Sequence, residues 1–584
     1  MVYRMCGIIG YVGHRKASEV LTEGLKRLEY RGYDSVGIAV LDSKSNRIET
    51  KKDKGMVEEV SSSMRFLALD GNLGIGHTRW ATHGAVCKAN SHPHLDCGRK
   101  IAIAHNGVIE NYIRLKEELA AKKHIFASDT DSEVIAHMIE ENEKTKPLLR
   151  AFMDMVAALE GSYAIVAMDA MDAENRIMIA RRNSPLIIGV GKGEMFCASD
   201  IPAMLAYTRT FVPLEDGDIA VLSRHGYKVY DSSGKEAGRR QITVDWSNEM
   251  AQKGGYPHFM LKEIMDQRHF INESLASEVN SARKLMDGYE RIDIVAAGTS
   301  YHASLMLAYL LSGKGKIAQA FIASDYPFIA KPDERTLVIA ITQSGETADV
   351  LQALRYASKS RHIAITNTVE SSVTRLADRT VLLNAGPEVG VAATKTFTSQ
   401  LAVVYKLVFG KEALTGLPEL IGKMTEMEPE VKTIAAKLVK KENAFFIARG
   451  RNVPIAYEAS LKFKEITYIH SEAYPGGELK HGTLSLITDG VPVIALAPRD
   501  ETLQKLFGNI KEAKARGGMI ISVTDDDDVK KESDLCINLP KGIAPALYPF
   551  ALIVPLQLLA YHVSVMRGIN PDRPRNLAKS VTVE

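Results

Sequence analysis

Two patterns of apolar residues divide the chain. Over roughly the first 220 residues, short alternating runs at 7–12, 36–41, 100–105, 162–168, 176–181 and 186–190 are separated by polar loops and by two or three stretches of helical spacing. That mixture predicts an α+β domain of layered strands and helices. Later in the chain, unbroken apolar runs alternate with helical patterns, first at 292–297, 337–342 and 362–366, then again at 444–448, 491–497 and 518–523. Continuous β-branched runs mark strands covered on both faces, so the second half predicts two doubly wound α/β units in the register of a duplication. Periodicity lapses between the halves, through Arg239-Arg240-Gln241 to Lys253-Gly254-Gly255. The expected organisation is a first domain at 6–238, a linker at 239–255, α/β units at 256–428 and 429–570, and a tail at 571–584.

In the first α/β unit, two of these strand-to-helix transitions are polar: Gly298-Thr299-Ser300 and Thr342-Gln343-Ser344-Gly345-Glu346-Thr347. A helix start offers free N–H groups and the positive end of its dipole, and flanking hydroxyls can close around phosphate oxygens without a lysine. Taken singly, each reads more simply as a turn capped by Ser or Thr; two in register point to a phosphate pocket. The second unit has Pro498-Arg499-Asp500-Glu501 at the equivalent place, so one phosphate site per chain is expected.

At 584 residues, with 46% hydrophobic and 25% charged residues and a formal net charge of +2, the composition is that of an ordinary globular chain with no basic field for nucleic acid. Five cysteines without a CxxC pair fit a reducing compartment, the cytoplasm. The start lacks the features of a signal peptide, and the most apolar stretch, 548–566, is interrupted by Pro549, Pro555, Gln557 and His562; a buried core helix is expected there and no membrane partner. The acidic run Asp525 to Asp528 reads as solvated loop.

Candidate chemistry in the first domain is concentrated in short polar motifs. Cys6, opening a strand, is either a nucleophile or a small buried thiol. Asn106-Gly107 supplies the parts of an oxyanion hole and is also the commonest hairpin turn. Arg79 can fork onto a carboxylate and Asp131 can hold an ammonium, a pair that would suit an amino acid, although each alone is ordinarily a solvated charge. His77, His83, His92 and His94 with Cys87 and Cys97 match no common zinc spacing, so no metal is expected.

Together Cys6, Arg79, Asn106-Gly107 and Asp131 resemble the class II glutamine amidotransferase domain of the N-terminal-nucleophile hydrolases. The resemblance implies that Cys6 attacks the glutamine amide, that Asn106 and Gly107 hold the oxyanion, and that Arg79 and Asp131 grip the α-carboxylate and α-amine. Trp80, Thr82 and His83 would lie on a closing loop at the substrate. A terminal cysteine can use its own α-amine, of pKa about 8, as the base for its thiol. Here Cys6 follows Met1-Val2-Tyr3-Arg4-Met5; translation starting at Met5, favoured over cleavage of a propeptide, would expose that amine.

The tandem α/β units with their Ser-Gly-Glu-Thr turn resemble sugar isomerase domains. With the amidotransferase domain in front, the whole chain resembles the family that aminates fructose 6-phosphate with glutamine to give glucosamine 6-phosphate and glutamate. Three late stretches carry the match: Glu458 to Glu465, Leu479-Lys480-His481-Gly482, and the tail from Arg575 to Glu584. On one helix Glu458, Lys462 and Glu465 share a face, which could equally be a surface salt-bridge ladder. The resemblance implies that Glu465 moves a proton between C1 and C2 of the sugar, a task eased if burial raises its pKa, that His481 assists ring opening, and that Lys579 engages the carbonyl. Thr299, Ser300, Thr342, Gln343, Ser344, Thr347, Val391 and Ala578 would hold the phosphosugar. It also implies passage of ammonia inside the protein, no metal or organic cofactor, and a homodimer in which His481 serves the partner's site. Thr342 and Ala393 stand where the family often has serine. The rivals are a phosphosugar isomerase or deglycase, which needs no glutaminase set, and a phosphosugar-binding regulator with both sites inactive.

Overall fold

Alternation along the first strand sets the architecture of the N-terminal unit. In the computed structural model, which describes residues 6–80, 84–244, 253–577 and 579, Ile8 and Val12 on strand Gly7–Val12 point into one apolar layer and Ile9 and Tyr11 into another. Successive side chains of a strand face opposite ways, so a strand apolar at every position must be covered on both sides. The strand Ile101–Ile109 behaves alike: Ala102 and Ala104 join the layer of Ile8, while Ile101 and Ile103 pack under helices.

The result is a four-layer stack. An eight-stranded sheet contains, in order, Ile242–Thr243, Thr210–Pro213, Ile187–Val190, Met195–Ala198, Gly7–Val12, Leu73–Arg79, Ser35–Leu41 and Ile48–Lys54; a six-stranded sheet contains Gly226–Tyr230, Ile219–Ser223, Ile177–Arg182, Gly161–Asp169, Ile101–Ile109 and His94–Leu95. Helix Ala17–Leu28 covers the first sheet, and helices Glu133–Glu143 and Leu148–Ala158 cover the second. Five α-helices occur among the described residues of this unit, where the apolar spacing predicts two or three. Ile242–Thr243, inside the expected linker, pairs with Thr210–Pro213.

The chain divides between residues 251 and 252. In the second unit two five-stranded parallel sheets share one topology: 317–322, 291–296, 336–342, 361–366, 379–382, and 470–475, 443–448, 492–496, 519–524, 535–538. Numbered along the chain, each order is 2-1-3-4-5, whose switch point lies between the first and third strands. The Gly298 and Thr342 turns follow those two strands in the first copy, so both open on the same crevice.

One apolar cluster runs from Ile292 and Ile339 of one sheet to Phe446 and Ile494 of the other, through helices that include Tyr548–Met566. That helix is long and apolar enough to cross a membrane, but 89% of its most apolar window is buried inside the protein. Residues Asp525 to Asp528 do not form an open loop: Asp526 accepts from the N–H groups of Asp528 and Val529 and caps helix Asp527–Glu532.

Candidate active sites

Cys6 stands at the entrance of the strand Gly7–Val12, on a pocket lined by Arg79, Trp80, His105, Gly107, Thr130 and Asp131. The Trp80 N–H donates to its Sγ at 3.2 Å. Burial pushes the thiol up to about 11, against the Trp80 N–H and the Arg79 guanidinium, which favour the thiolate. The thiol therefore needs a base at neutral pH. Asn106 and Gly107 do not form a hairpin turn; they lie within the strand Ile101–Ile109. Gly107 has φ +122°, and a Cβ there would sit 2.0 Å from the Ser162 carbonyl oxygen, so only glycine fits.

The Asn106 amide donates to the Cys6 carbonyl at 2.9 Å and to Ser199 Oγ at 2.8 Å. Its Oδ1 faces His77 Nε2 at 3.1 Å, and the same nitrogen faces the His105 carbonyl at 3.0 Å. Both neighbours accept, so His77 carries its proton on Nε2. Burial pushes this imidazole down to about 3 and keeps it neutral. His77, weighed from sequence only as a metal ligand, thus positions Asn106; it stacks on His92, which meets His94 edge-on. Arg79 and Asp131 are both buried, with Asp131 accepting the Ile109 N–H at 2.8 Å. Trp80 meets the Tyr33 ring edge-on. Thr82 and His83 lie outside the described residues.

At the crevice of the second unit, Gly298 has φ +55° and opens helix Gly298–Ser312, placing Thr299 and Ser300 in its first turn. Thr347 stands at the N-cap position of helix Ala348–Tyr356, but its hydroxyl meets that of Thr342 at 2.8 Å and makes no capping bond. Gly345, at φ +69°, packs so tightly that a Cβ would fall 1.9 Å from Ser371 Oγ. The side chains of Gln343 and Ser344 stay half-exposed beside it. The corresponding crevice of the second copy is closed by its own polar pairs, Asn452 with Asp500 at 2.8 Å and Arg451 with Glu501 at 2.8 Å.

Glu458 and Lys462 are buried, which removes the surface-ladder alternative. Glu458 accepts from Thr299 Oγ1 at 3.1 Å, faces His302 Nδ1 at 2.7 Å and lies 3.5 Å from Lys462 Nζ; Lys462 reaches Glu465 at 2.6 Å. Burial works to neutralise Lys462, but Glu458 and Glu465 prevail and hold it above its ordinary value. Glu465 itself is only half-buried. His481 is exposed at the end of the 3₁₀ helix Gly476–His481, and this network does not include it.

Lys579 bonds Glu388, a residue the sequence reading does not single out. Glu388 also accepts the N–H groups of Thr394 and Thr396, at 2.9 and 3.1 Å, and so folds the segment between them around itself. Nearby, burial and the Glu388 charge raise Glu263 to about 7, and burial lowers Lys395 to about 8. Val391 is buried beside Gly390, whose N–H donates to Glu263. Ala578 lies outside the described residues.

Family comparisons accord with this division. A glutamine amidotransferase domain matches residues 77–206, and the SIS domain matches 286–409 and again 437–567. A Pyrococcus horikoshii protein named glutamine–fructose-6-phosphate aminotransferase (isomerizing) is 50% identical over 602 residues, covering 99% of this chain and all of that protein. A Methanothermobacter thermautotrophicus protein of the same name is 46% identical with the same coverage. The chain belongs to the family of glutamine–fructose-6-phosphate aminotransferases. Among solved structures, the C-terminal domain of a Francisella tularensis glucosamine-fructose-6-phosphate aminotransferase superposes with a TM-score of 0.52 at 36% identity, covering 55% of this chain and 100% of that one. Tagatose-6-phosphate ketose/aldose isomerase from Escherichia coli shares the fold, with a TM-score of 0.50 at 19% identity, over 55% of this chain and 96% of that one.

Proposed function

We propose that this protein hydrolyses glutamine at Cys6 and uses the ammonia to convert fructose 6-phosphate to glucosamine 6-phosphate, isomerising the ketose to the aldose. The observation that carries the reading is the pairing, in one chain, of a half-buried thiol on one pocket with Arg79 and Asp131 and a hydroxyl-lined crevice beside the Glu458–Lys462–Glu465 network. A thiol raised to about 11 is a weak nucleophile near neutrality, so the active species begins at Cys6, whose α-amine, of pKa about 8, takes the proton. Asn106 and Gly107 stabilise the oxyanion; because the Asn106 amide rests on the Cys6 carbonyl and Ser199, it exchanges a partner when glutamine binds. In the second unit the hydroxyls of Thr299, Ser300, Thr342, Ser344 and Thr347, with Gln343, take the phosphosugar. Glu465 transfers the proton, and Lys579 leaves Glu388 for the ketose carbonyl. Glutamine hydrolysis measured with and without fructose 6-phosphate, with the sugar product identified, tests the whole reading. Free glutamate without an amino sugar, or isomerisation without glutaminase activity, would overturn it.

We also infer a homodimer in a reducing cytoplasm. Five free cysteines suit that compartment. The exposed His481, outside the network of its own chain, fits a group that serves a partner's sugar. Lys579→Ala and His481→Ala are each expected to be inactive as synthase. A two-fold dimer mixed from them has one site lacking both groups and one lacking neither, so random reassortment restores about a quarter of the sites. Heterodimers that form without recovered synthase activity exclude the trans arrangement.

A further inference from the structure

Cys97 has partners far along the chain that lie outside both sites described above. Its Sγ is 3.7 Å from His124 Nδ1 and 3.6 Å from His137 Nδ1. Both nitrogens also face one oxygen, Glu140 Oε2, at 2.9 and 3.2 Å. Each Nδ1 is thus aimed between sulfur and oxygen, toward a common centre, and the four ligand atoms lie within 4.8 Å of one another. In a tetrahedral zinc site the ordinary bond lengths, 2.3 Å to sulfur and 2.0–2.1 Å to nitrogen, make the sulfur-to-nitrogen edge about 3.6 Å. The two S···N distances match that edge.

The surroundings are those of a metal centre as well. His124 Nε2 is backed by Glu141 at 3.0 Å, while the Glu133 carboxylate lies 3.6 Å from His137 Nε2, beyond hydrogen-bond distance. A carboxylate on the far nitrogen orients a ligating imidazole and strengthens it as a donor. Both imidazoles are buried, and the Ile125 N–H points at the sulfur at 3.4 Å, a contact that favours thiolate. One thiolate, two imidazoles and one carboxylate form a donor set for a borderline-soft, four-coordinate ion.

We propose that Cys97, His124, His137 and Glu140 bind one divalent ion of the zinc class, with a positioning role in the glutamine unit. The sequence reading expects no metal and groups Cys97 with His77, His83, His92 and His94; the structure places His124 and His137 beside it. Three segments meet here: the turn between the strands His94–Leu95 and Ile101–Ile109, the chain just after helix Tyr112–Ala121, and helix Glu133–Glu143. The loop from His124 to Ser132 is therefore anchored at its start by the ion and delivers Asp131 to the Cys6 pocket at its end. Glu133 holds its middle through the N–H groups of Ala127 and Ser128, at 2.8 and 2.7 Å.

The test uses the full-length protein, stripped with chelator and reconstituted with zinc or cobalt alone. One ion per chain is expected by elemental analysis. The cobalt form is expected to show a thiolate-to-metal charge-transfer band and the intense visible bands of four-coordinate cobalt. Both should vanish in Cys97→Ser, an exposed position where folding is checked by circular dichroism, and persist in Cys6→Ala. Glu141→Gln, which leaves all four ligands intact, is expected to weaken zinc binding by roughly 10- to 100-fold in chelator competition. Sub-stoichiometric uptake, a cobalt spectrum that survives Cys97→Ser, or an affinity unmoved by Glu141→Gln would each overturn the site.

Discussion

Around Cys6 three buried imidazoles stay neutral beside the charged Arg79 and Asp131, whereas around Glu458 the buried groups are paired charges. His77, His92 and His94 are all driven well below the ordinary imidazole range by burial, and they act through hydrogen bonds and stacking. Glu458, Lys462, Glu388 and Lys579 stay in place by pairing with one another's opposite charges. The difference follows from what each site handles. A thiol and an amide need oriented dipoles and a single mobile proton. A phosphosugar that must open and enolise needs carboxylates and ammonium groups inside the protein, and a buried charge is tolerable only beside its counter-charge. The first arrangement is vulnerable to protons and the second to the loss of one partner.

The largest effect separates the units outright. Cys6→Ala is expected to lower glutamine hydrolysis by roughly 10³-fold or more, the usual cost of removing a nucleophile, while phosphosugar isomerisation persists. Loss of both activities in a protein still folded by circular dichroism would mean that the two sites are not independent. Intact-mass measurement of the active species should show Cys6 as its first residue. An active species that retains Met1 to Met5 lacks the proposed base.

Lys462→Met breaks the comparison from the other side. It leaves Glu458 buried with its ammonium partner gone, which costs about 3–5 kcal/mol when a buried pair is halved. Chemical denaturation followed by circular dichroism should register that loss, together with loss of isomerisation. Basal glutaminase activity, which depends on groups of the first unit, should persist. A cost below about 1 kcal/mol, the range of exposed pairs, would mean that Lys462 is effectively solvated.

Acid should act on the first unit. His77 titrates near 6.5 when unfolded and at about 3 when folded, so the unfolded chain takes up the proton first. The stability it contributes is fully present above pH 6.5 and declines as pH falls from 6.5 toward 3; His92 and His94 add in the same direction. Trp80 lies in the first unit, so in a Trp246→Phe background tryptophan fluorescence reports that unit. The denaturation midpoint read by tryptophan should fall between pH 7 and pH 5. In His77→Gln, which can still donate to Asn106, the fall should be shallower. An unchanged pH slope in that variant would remove His77 from the account.

These contrasts were unevenly legible in the sequence. The parallel strands of the second unit stand out because burial on both faces leaves runs such as Thr336–Thr342 with no charge, and the two polar turns follow at the switch point by topology. Strand Ile48–Lys54 does not stand out, because it lies at a sheet edge, with Glu49 and Lys54 exposed and Lys51, Lys52 and Asp53 half-buried between them. Asn106-Gly107 has the sequence of a turn, and only the approach of the Ser162 carbonyl reveals a glycine demanded by a strand. Cys97 pairs with residues 27 and 40 positions away on separate elements, and no spacing rule connects them. Glu388 lies within the irregular segment 383–394 and Lys395 opens the helix that follows it, where periodicity carries little information about burial.

The smallest expected effect concerns that segment. Glu388 accepts the N–H groups of Thr394 and Thr396, so the backbone at Ala393 is held in place before any sugar arrives. A hydroxyl added there would be ordered without further loss of chain entropy, and Ala393 is half-exposed, so a serine fits without repacking a core. A hydrogen bond between neutral partners contributes about 0.5–1.5 kcal/mol, so Ala393→Ser should lower the KM for fructose 6-phosphate roughly two- to ten-fold. The KM for glutamine should not move. An unchanged fructose 6-phosphate KM would show that the charged framework and the hydroxyls from Thr299 to Thr347 already set the affinity, and that the second unit gains nothing from one more neutral donor.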